Sequence, residues 1–216
     1  MKNIILFGPP GSGKSTLVEL LKERNIPFSL ISMGQILRDI AKEESELGQK
    51  VRETMARGDL LDDLFITELF KKGLREVDKT NSLILDGYPR SLGQVNVVDE
   101  IFTNENLDLP VLVYIKISKE ESVSRLSSRR VCSKCKENFQ VSELAGSNEC
   151  LKCGGEIIQR DDDKPEAIEN RFELFYMQFE IIKHYFESKN RYYEIDGMIS
   201  KPERVEELIK ILNLKY

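Results

Sequence analysis

The chain has 216 residues, of which 40% are apolar and 32% charged, and a formal net charge of -5. A chain of that size buries one sizeable core with insertions, or at most two small domains, and its composition excludes a disordered polymer. The acidic balance speaks against a general nucleic-acid binder, whose phosphate contacts need a basic field, and no apolar run reaches the ~18 residues of a membrane span.

From Met1 the chain passes directly into a strand-like run, KNIILFG (2–8). Nothing there has signal-peptide anatomy, so a cytoplasmic location with reduced cysteines is expected. A helical segment (14–24), the strand FSLIS (28–32) and three helical segments (34–43, 45–57, 61–77) follow. Then come the strand SLILD (81–85), a helix (91–103), the strand VLVYIKI (111–117) and a helix (119–129) started by Ser118. A long helix with Pro165 in its first turn (165–189), the strand YYEID (192–196) and a helix with Pro202 near its start (202–213) complete the pattern. Short runs rich in branched and aromatic residues, separated by helices, predict parallel strands buried on both faces. The fold class expected is α/β, a doubly wound five-stranded parallel sheet with helices on both faces, binding its ligand at the carboxyl ends of the strands. Residues 32–61 (short helices, no strand) and 130–163 (all four cysteines, little apolar periodicity) break the rhythm and read as insertions.

Gly8-Pro9-Pro10-Gly11-Ser12-Gly13-Lys14-Ser15 fits G-x-x-x-x-G-K-[ST] between the first strand and the first helix, the context that a phosphate-binding loop requires. Glycines let successive backbone N–H groups turn inward around a polyphosphate, and the helix adds its positive dipole end. Lys14 brings a charge to the β and γ phosphates, and Ser15 a hydroxyl for Mg²⁺. The competing reading is a Gly/Pro turn with a solvent-facing lysine. The motif predicts nucleoside triphosphate binding without deciding between hydrolysis, switching and transfer.

Cys132, Cys135, Cys150 and Cys153 form C-x₂-C-x₁₄-C-x₂-C, two knuckles able to bring four thiolates to one tetrahedral Zn²⁺. Four thiolates leave no open coordination position, so such a metal is structural, holding a core-poor flap in shape. An iron site or redox pairs are the competing readings. His184, far away on a helical pattern, reads as packed or surface.

Asp86-Gly87-Tyr88-Pro89-Arg90 follows the third strand, where Asp86 can hold Mg²⁺ through water and the turn aims Arg90; an ordinary strand-to-helix turn is the alternative. Arg125 and Arg129 are four apart in the segment 119–129 and are expected on one helix face. Arg129 and Arg130 enter the cysteine flap, Arg160 leaves it ahead of Asp161, Asp162 and Asp163, and Arg171 lies in the next helix. Such charges are commonly solvated surface, but here they bracket both hinges of a flap. Phosphoryl transfer asks for that arrangement, because its transition state spreads negative charge and water must be kept out.

With these pieces in order, the sequence resembles the adenylate kinase family of nucleoside monophosphate kinases in its zinc-bearing long-lid form. The resemblance rests on GPPGSGKST, ISMGQILR (31–38), LDGYPRSLGQ (85–94), RLSSRRVCSKC (125–135), CLKCGGEIIQRDDDKPE (150–166) and NRFELF (170–175), and covers nearly the whole chain. It implies a core of residues 1–31, 62–127 and 164–216, a monophosphate-binding insertion at 32–61 and a zinc-binding lid at 128–163. The implied reaction is ATP + AMP ⇌ 2 ADP, with Mg²⁺ and without a covalent intermediate, in a monomer. By resemblance ATP is held by Gly11, Ser12, Gly13, Lys14, Ser15, Thr16 and Arg129, with Asn138 and Phe139 over its base and Ile199 as a backbone contact. AMP is met by Met33, Arg38, Arg90, Arg160 and Arg171, by Asp59, Leu60 and Leu61, by the turn Gly87, Tyr88 and Pro89, and by Gln94, which reads the adenine. Catalytic roles fall on Lys14, Asp86, Arg90, Arg125, Arg129, Arg160 and Arg171, with Asp162 and Asp163 gripped by arginines across the closed cleft. The chain departs from the family at Met33 (usually Thr), Gln35 (usually Asp) and Ser15 (usually Gly). Met33 removes a hydroxyl near AMP, a loss of ~1–3 kcal/mol for a buried hydrogen-bond partner. Two other functions are weighed: a kinase for UMP or CMP, and a P-loop switch whose flap grips another macromolecule.

Overall fold

The computed structural model describes residues 2–212. In chain order its elements are β1 (Ile4–Phe7), α1 (Lys14–Glu23), β2 (Phe28–Ser32), α2 (Met33–Ile40), α3 (Glu46–Arg57) and α4 (Asp63–Glu76). There follow β3 (Ser82–Asp86), α5 (Leu92–Asn104), β4 (Val111–Lys116), α6 (Lys119–Ser127), β5 (Arg129–Cys132), β6 (Asn138–Gln140), β7 (Ile157–Ile158), α7 (Pro165–Ser188), β8 (Tyr192–Asp196) and α8 (Lys201–Leu212). The last position of the helix expected over 202–213 lies outside the described residues.

Five strands form one parallel sheet in the order β2-β3-β1-β4-β8. The period-two alternation of β1 sorts its side chains into two cores. Ile4 and Leu6 pack with α1 (Leu17, Leu21) and α8 (Val205, Leu208, Ile209). Ile5 and Phe7 pack with α4, α5 and α7 through Phe70, Val98 and Phe186 among others. Burial on both faces is why these strands read as unbroken apolar runs. Neighbouring β1 and β3 end at Phe7 and Asp86, and the order reverses around β1, so the crevice beyond the carboxyl ends opens where the Gly8–Lys14 loop lies.

Side-chain caps fix where several helices start. Ser45, Asp62, Ser91 and Ser118 each accept a backbone N–H from the first turn of the helix that follows, and such a cap contributes ~1 kcal/mol. Pro165 starts α7 as expected.

One expectation needs correction. Helix α6 stops at Ser127, and Arg129 opens β5, pairing with Gln140 of β6; Arg125 and Arg129 therefore share no helix face. The chain leaves the helix because the flap is itself a sheet, β6-β5-β7, antiparallel throughout. Tyr88 turns into the core: it is 2% exposed, stacks on Phe70 at 4.6 Å and shares a 3.1 Å hydrogen bond between its hydroxyl and that of Thr67. Its side chain supports the strand-to-helix turn from behind. His184 is on the surface of α7.

Candidate active site

The glycine-rich loop is tied to itself. Ser12 N–H donates to Pro9 O (3.1 Å), and Lys14 Nζ reaches back to Gly8 O (2.7 Å), Pro9 O (3.1 Å) and Ser12 Oγ (3.2 Å). Gly11 has φ +81°, and a Cβ there would lie 2.8 Å from Ser122 O, so the loop touches α6 only because this position is glycine. The loop floors a cleft of about 580 Å³. Burial lowers the Lys14 pKa to about 8; Arg90, Arg171 and Arg129 push the same way, against the opposing pull of Asp86.

One end of the cleft is apolar, walled by Met33, Leu37, Met55, Leu61 and Ile66. Above it, Gln94 is 5% exposed and its amide is fixed at both ends. Oε1 accepts from Arg90 N–H (2.7 Å), and Nε2 donates to Asp63 Oδ1 (2.7 Å). Arg90 Nε donates to Gly87 O (3.0 Å). Arg38 donates to Gln35 Oε1 (3.2 Å), and Gln35 Nε2 in turn donates to Asp39 (2.9 Å), so Gln35 orients this arginine. Ser32 Oγ donates to Asp86 at the end of β3 (3.3 Å).

The flap closes the other side. Arg129 meets Asp163 in a two-pronged pair, Nε to Oδ2 at 2.8 Å and Nη2 to Oδ1 at 2.5 Å, and Asp163 is 1% exposed. Arg171 Nη1 donates to Asp162 O (2.8 Å) and lies 3.1 Å from the Asp162 carboxylate and 3.6 Å from that of Asp163. Burial alone would push the Asp162 pKa up, but Arg171, Arg129, Arg160 and Arg38 together hold it below the usual carboxylate range. Arg160 donates to Asn138 Oδ1 (2.7 Å), and burial beside Arg129 and Arg38 draws its pKa down to about 10. Arg125 donates to Glu121 (2.7 Å) and to Gly197 O (3.2 Å).

Four residues named from the sequence do not line this cleft: Ser12, Tyr88, Asp163 and Ile199. Ser12 is buried under the loop as a Lys14 partner, Tyr88 is core, and Asp163 stands behind Arg129. The other site residues named from the sequence, from Gly11 to Arg171, apart from the cysteines, face one another across it. A P-loop and guanidinium groups drawn from α2, the β3–α5 turn, α6, β5, the flap exit and α7 thus line one cleft, a set of cations able to hold phosphate groups.

A model of the family described as adenylate kinase matches residues 6–191. The chain belongs to the adenylate kinase family. It is 34% identical to the adenylate kinase of Thermosipho africanus over 213 residues, covering 97% of this chain and 99% of that one. It is 38% identical to the adenylate kinase of Pyrococcus abyssi over 218 residues (99% and 97% covered) and 35% identical to that of Thermotoga petrophila over 216 residues (98% and 97%). Membership of the adenylate kinase family makes the chain an enzyme of nucleoside monophosphate phosphoryl transfer.

Within this adenylate kinase fold the four cysteines converge. Their sulfurs lie within 4.8 Å of one another, Cys132 to Cys153 at 3.5 Å and Cys135 to Cys150 at 3.6 Å. Tetrahedral Zn–S bonds of ~2.3 Å place sulfurs about 3.8 Å apart, so the cluster fits such an ion. Backbone N–H groups of Lys134 and Cys135 point at the Cys132 sulfur (3.3 and 3.4 Å) and that of Lys152 at the Cys150 sulfur (3.4 Å). A Cβ at Gly155 would lie 2.9 Å from the Cys132 sulfur, so the knuckle closes only around glycine.

Sequence reasoning missed Asp63, Gln35 as a partner of Arg38, the apolar wall of Met55 and Ile66, and Glu143, Lys201 and Arg204 on the flap-to-α8 side of the cleft. Met55 and Ile66 sit on amphipathic stripes that are indistinguishable from core in the sequence. Asp63 had one signal: it follows the Asp62 cap at the start of a helix that abuts the site.

Proposed function

We propose that the chain transfers the terminal phosphoryl group of Mg-bound ATP to AMP, giving two ADP, reversibly. The observation that carries the reading is the single cleft with a P-loop at one end and, at the other, an apolar base pocket under a fixed amide, with Arg38, Arg90, Arg129, Arg160 and Arg171 between them. The core would be residues 1–31, 62–127 and 164–216, with 32–61 holding the monophosphate and 128–163 acting as lid.

The donor triphosphate wraps into the loop amides, with Lys14 turning from the loop carbonyls to its terminal phosphates. The acceptor phosphate is met by Arg38 and Arg90, and its base enters the wall of Met33, Met55 and Ile66. Gln94 has one N–H and one lone pair left after its bonds to Asp63 and Arg90, a donor and an acceptor able to match the edge of adenine. Arg129, Arg160 and Arg171 then surround the group in flight, where charge spreads over its equatorial oxygens. Magnesium, held through Ser15 and Asp86, would neutralise the β and γ phosphates. Zinc, held by Cys132, Cys135, Cys150 and Cys153, would be structural, since the flap buries few apolar side chains of its own, Val131 and Leu144. Closure excludes water, which would otherwise take the phosphate.

The test is purified protein with ATP, AMP and Mg²⁺. ADP formed from both nucleotides supports the reading. Turnover of UMP or CMP in place of AMP moves the acceptor, and tight ATP binding with no acceptor at all sinks the transferase reading.

A further inference from the structure

Arg204 sits in the first turn of α8, 5% exposed, and neither its Nε nor its Nη1 has a hydrogen-bond partner among the described residues. Buried guanidinium groups are ordinarily paired. Of the acids near it in sequence, Glu203 accepts from Ser200 N–H (3.0 Å) and Glu206 pairs with Arg24 (2.5 Å), while Glu207, one turn on, accepts no hydrogen bond from Nε or Nη1. The charged group that Arg204 feels is another cation, Arg125. The fold thus spends stability to hold this charge in place.

Its position says what the charge is for. Arg204 lines the cleft and packs against the P-loop where α1 begins: a Cβ on Gly13 would lie 2.7 Å from its Nη1. Gly13, the N-cap of α1 with φ +93°, leaves the space that the guanidinium fills. Lys14, one residue on, lies in the field of Arg90, Arg129 and Arg171, the transfer end of the cleft. Arg204 is beside Arg125 on the α6–α8 side, away from that end.

Resting on the reading of the P-loop as the donor site, we propose that Arg204 is a ligand of the donor triphosphate. Its unpartnered N–H groups take oxygens of the phosphate nearest the sugar, opposite the N–H groups of the first turn of α1. Lys14 and the transfer arginines hold the terminal phosphates, Arg204 holds the trailing one, and the chain is stretched between them. Its role is to position the donor; it does not touch the group transferred.

The test uses the full chain and two variants, Arg204→Met, which keeps the volume and removes the charge, and Arg204→Lys, which keeps the charge. Calorimetric titrations use Mg-ATP, inorganic tripolyphosphate and AMP, alongside melting of the nucleotide-free protein. The expected result for Arg204→Met is at least about tenfold weaker binding of both ATP and tripolyphosphate, the loss of a charge-assisted hydrogen bond. AMP affinity stays put and the nucleotide-free melting temperature rises, because an uncompensated buried cation has gone. Arg204→Lys recovers part of the ATP affinity. Unchanged ATP affinity in Arg204→Met overturns the proposal. So does a loss for ATP with none for tripolyphosphate, which assigns the residue to the base or sugar. Equal losses for ATP and AMP with a lower melting temperature make it merely structural. Wild-type protein that binds both triphosphates but never phosphorylates AMP defeats the kinase reading and leaves this assignment standing.

Discussion

Nucleotide binding by this chain should weaken as pH rises through 8, and Lys14 is the reason. Free Lys14 has a pKa of about 8, lowered first by burial and then by Arg90, Arg171 and Arg129. A triphosphate in the loop brings several negative charges to the same ammonium and raises its pKa again. Binding then favours the protonated form. With a free pKa near 8, about nine-tenths of the protein carries the charge at pH 7 and about one-tenth at pH 9, so the association constant for Mg-ATP falls about tenfold between them. The phosphates of the nucleotide have lost their protons below this window, so the change belongs to the protein. Calorimetry at pH 8 in two buffers of different ionisation enthalpy should show uptake of about half a proton per ATP bound. Lys14→Arg, charged throughout, binds more weakly at pH 7 because its fork does not fit the loop carbonyls, and its affinity stays level from pH 7 to 9. In the nucleotide-free protein the same shift is a penalty, fully present below pH 8 and relieved between 8 and the ordinary lysine value near 10.4 as the unfolded chain also loses its proton. A wild-type ATP affinity that is level from pH 7 to 9, with no proton uptake, refutes the reasoning.

Three further outcomes follow from the geometry. Asp163→Asn leaves Arg129 and Arg171 facing each other without the buried carboxylate between them, a loss of about 3 kcal/mol; melting should fall by roughly 6–12 °C, and an unchanged melting curve contradicts the buried pair. Stripping metal with a chelator, or Cys135→Ser, should open residues 128–163 to protease while the parallel sheet stays resistant, with turnover falling in step; activity lost with no change in protection or melting argues against a structural ion. Asp63→Asn frees the Gln94 amide to turn over, so the KM for AMP should rise up to about tenfold with a smaller change for ATP; equal effects on both substrates would mean a general loss of fold.

The sheet was legible because each strand is buried on both faces. IILF, SLILD and VLVYIK have no polar side to confuse the reading, and Gly8 to Ser15 marks the turn after the first of them. The flap was legible as an insertion but not as a sheet: β5, β6 and β7 have 4, 3 and 2 residues, too short for any period to show. That is why the sequence pattern carries α6 on through Arg129. Residues whose work is to hold another site residue also escaped. Asp63 orients Gln94 across 31 positions of sequence, and Gln35 orients Arg38 within one turn of α2. Neither carries a motif of its own. Tyr88, in the turn that leads to Arg90, has its ring packed on Phe70, a burial that no spacing in LDGYPR announces.

A chain of net charge -5 keeps a cleft full of cations, and its carboxylates explain how. Asp163 and Asp162 neutralise Arg129 and Arg171 and also fix them, since a two-pronged pair sets the plane of a guanidinium as well as its place. Gln35 and the carbonyls of Gly87 and Gly8 do the same for Arg38, Arg90 and Lys14 without adding charge. The first kind of tether places a cation and takes away part of its field; the second places it and leaves the field intact. On the proposed reading Arg38, Arg90 and Lys14, tied by neutral groups, would meet the resting phosphates of the two nucleotides. Arg129 and Arg171, tied by acids at the flap hinge, would meet the transferred group on the proposed reading, as would Arg160, whose acceptor is the neutral Asn138 Oδ1. Asp163→Asn, by converting an acidic tether into a neutral one, should therefore disturb the hinge before it disturbs either proposed binding site.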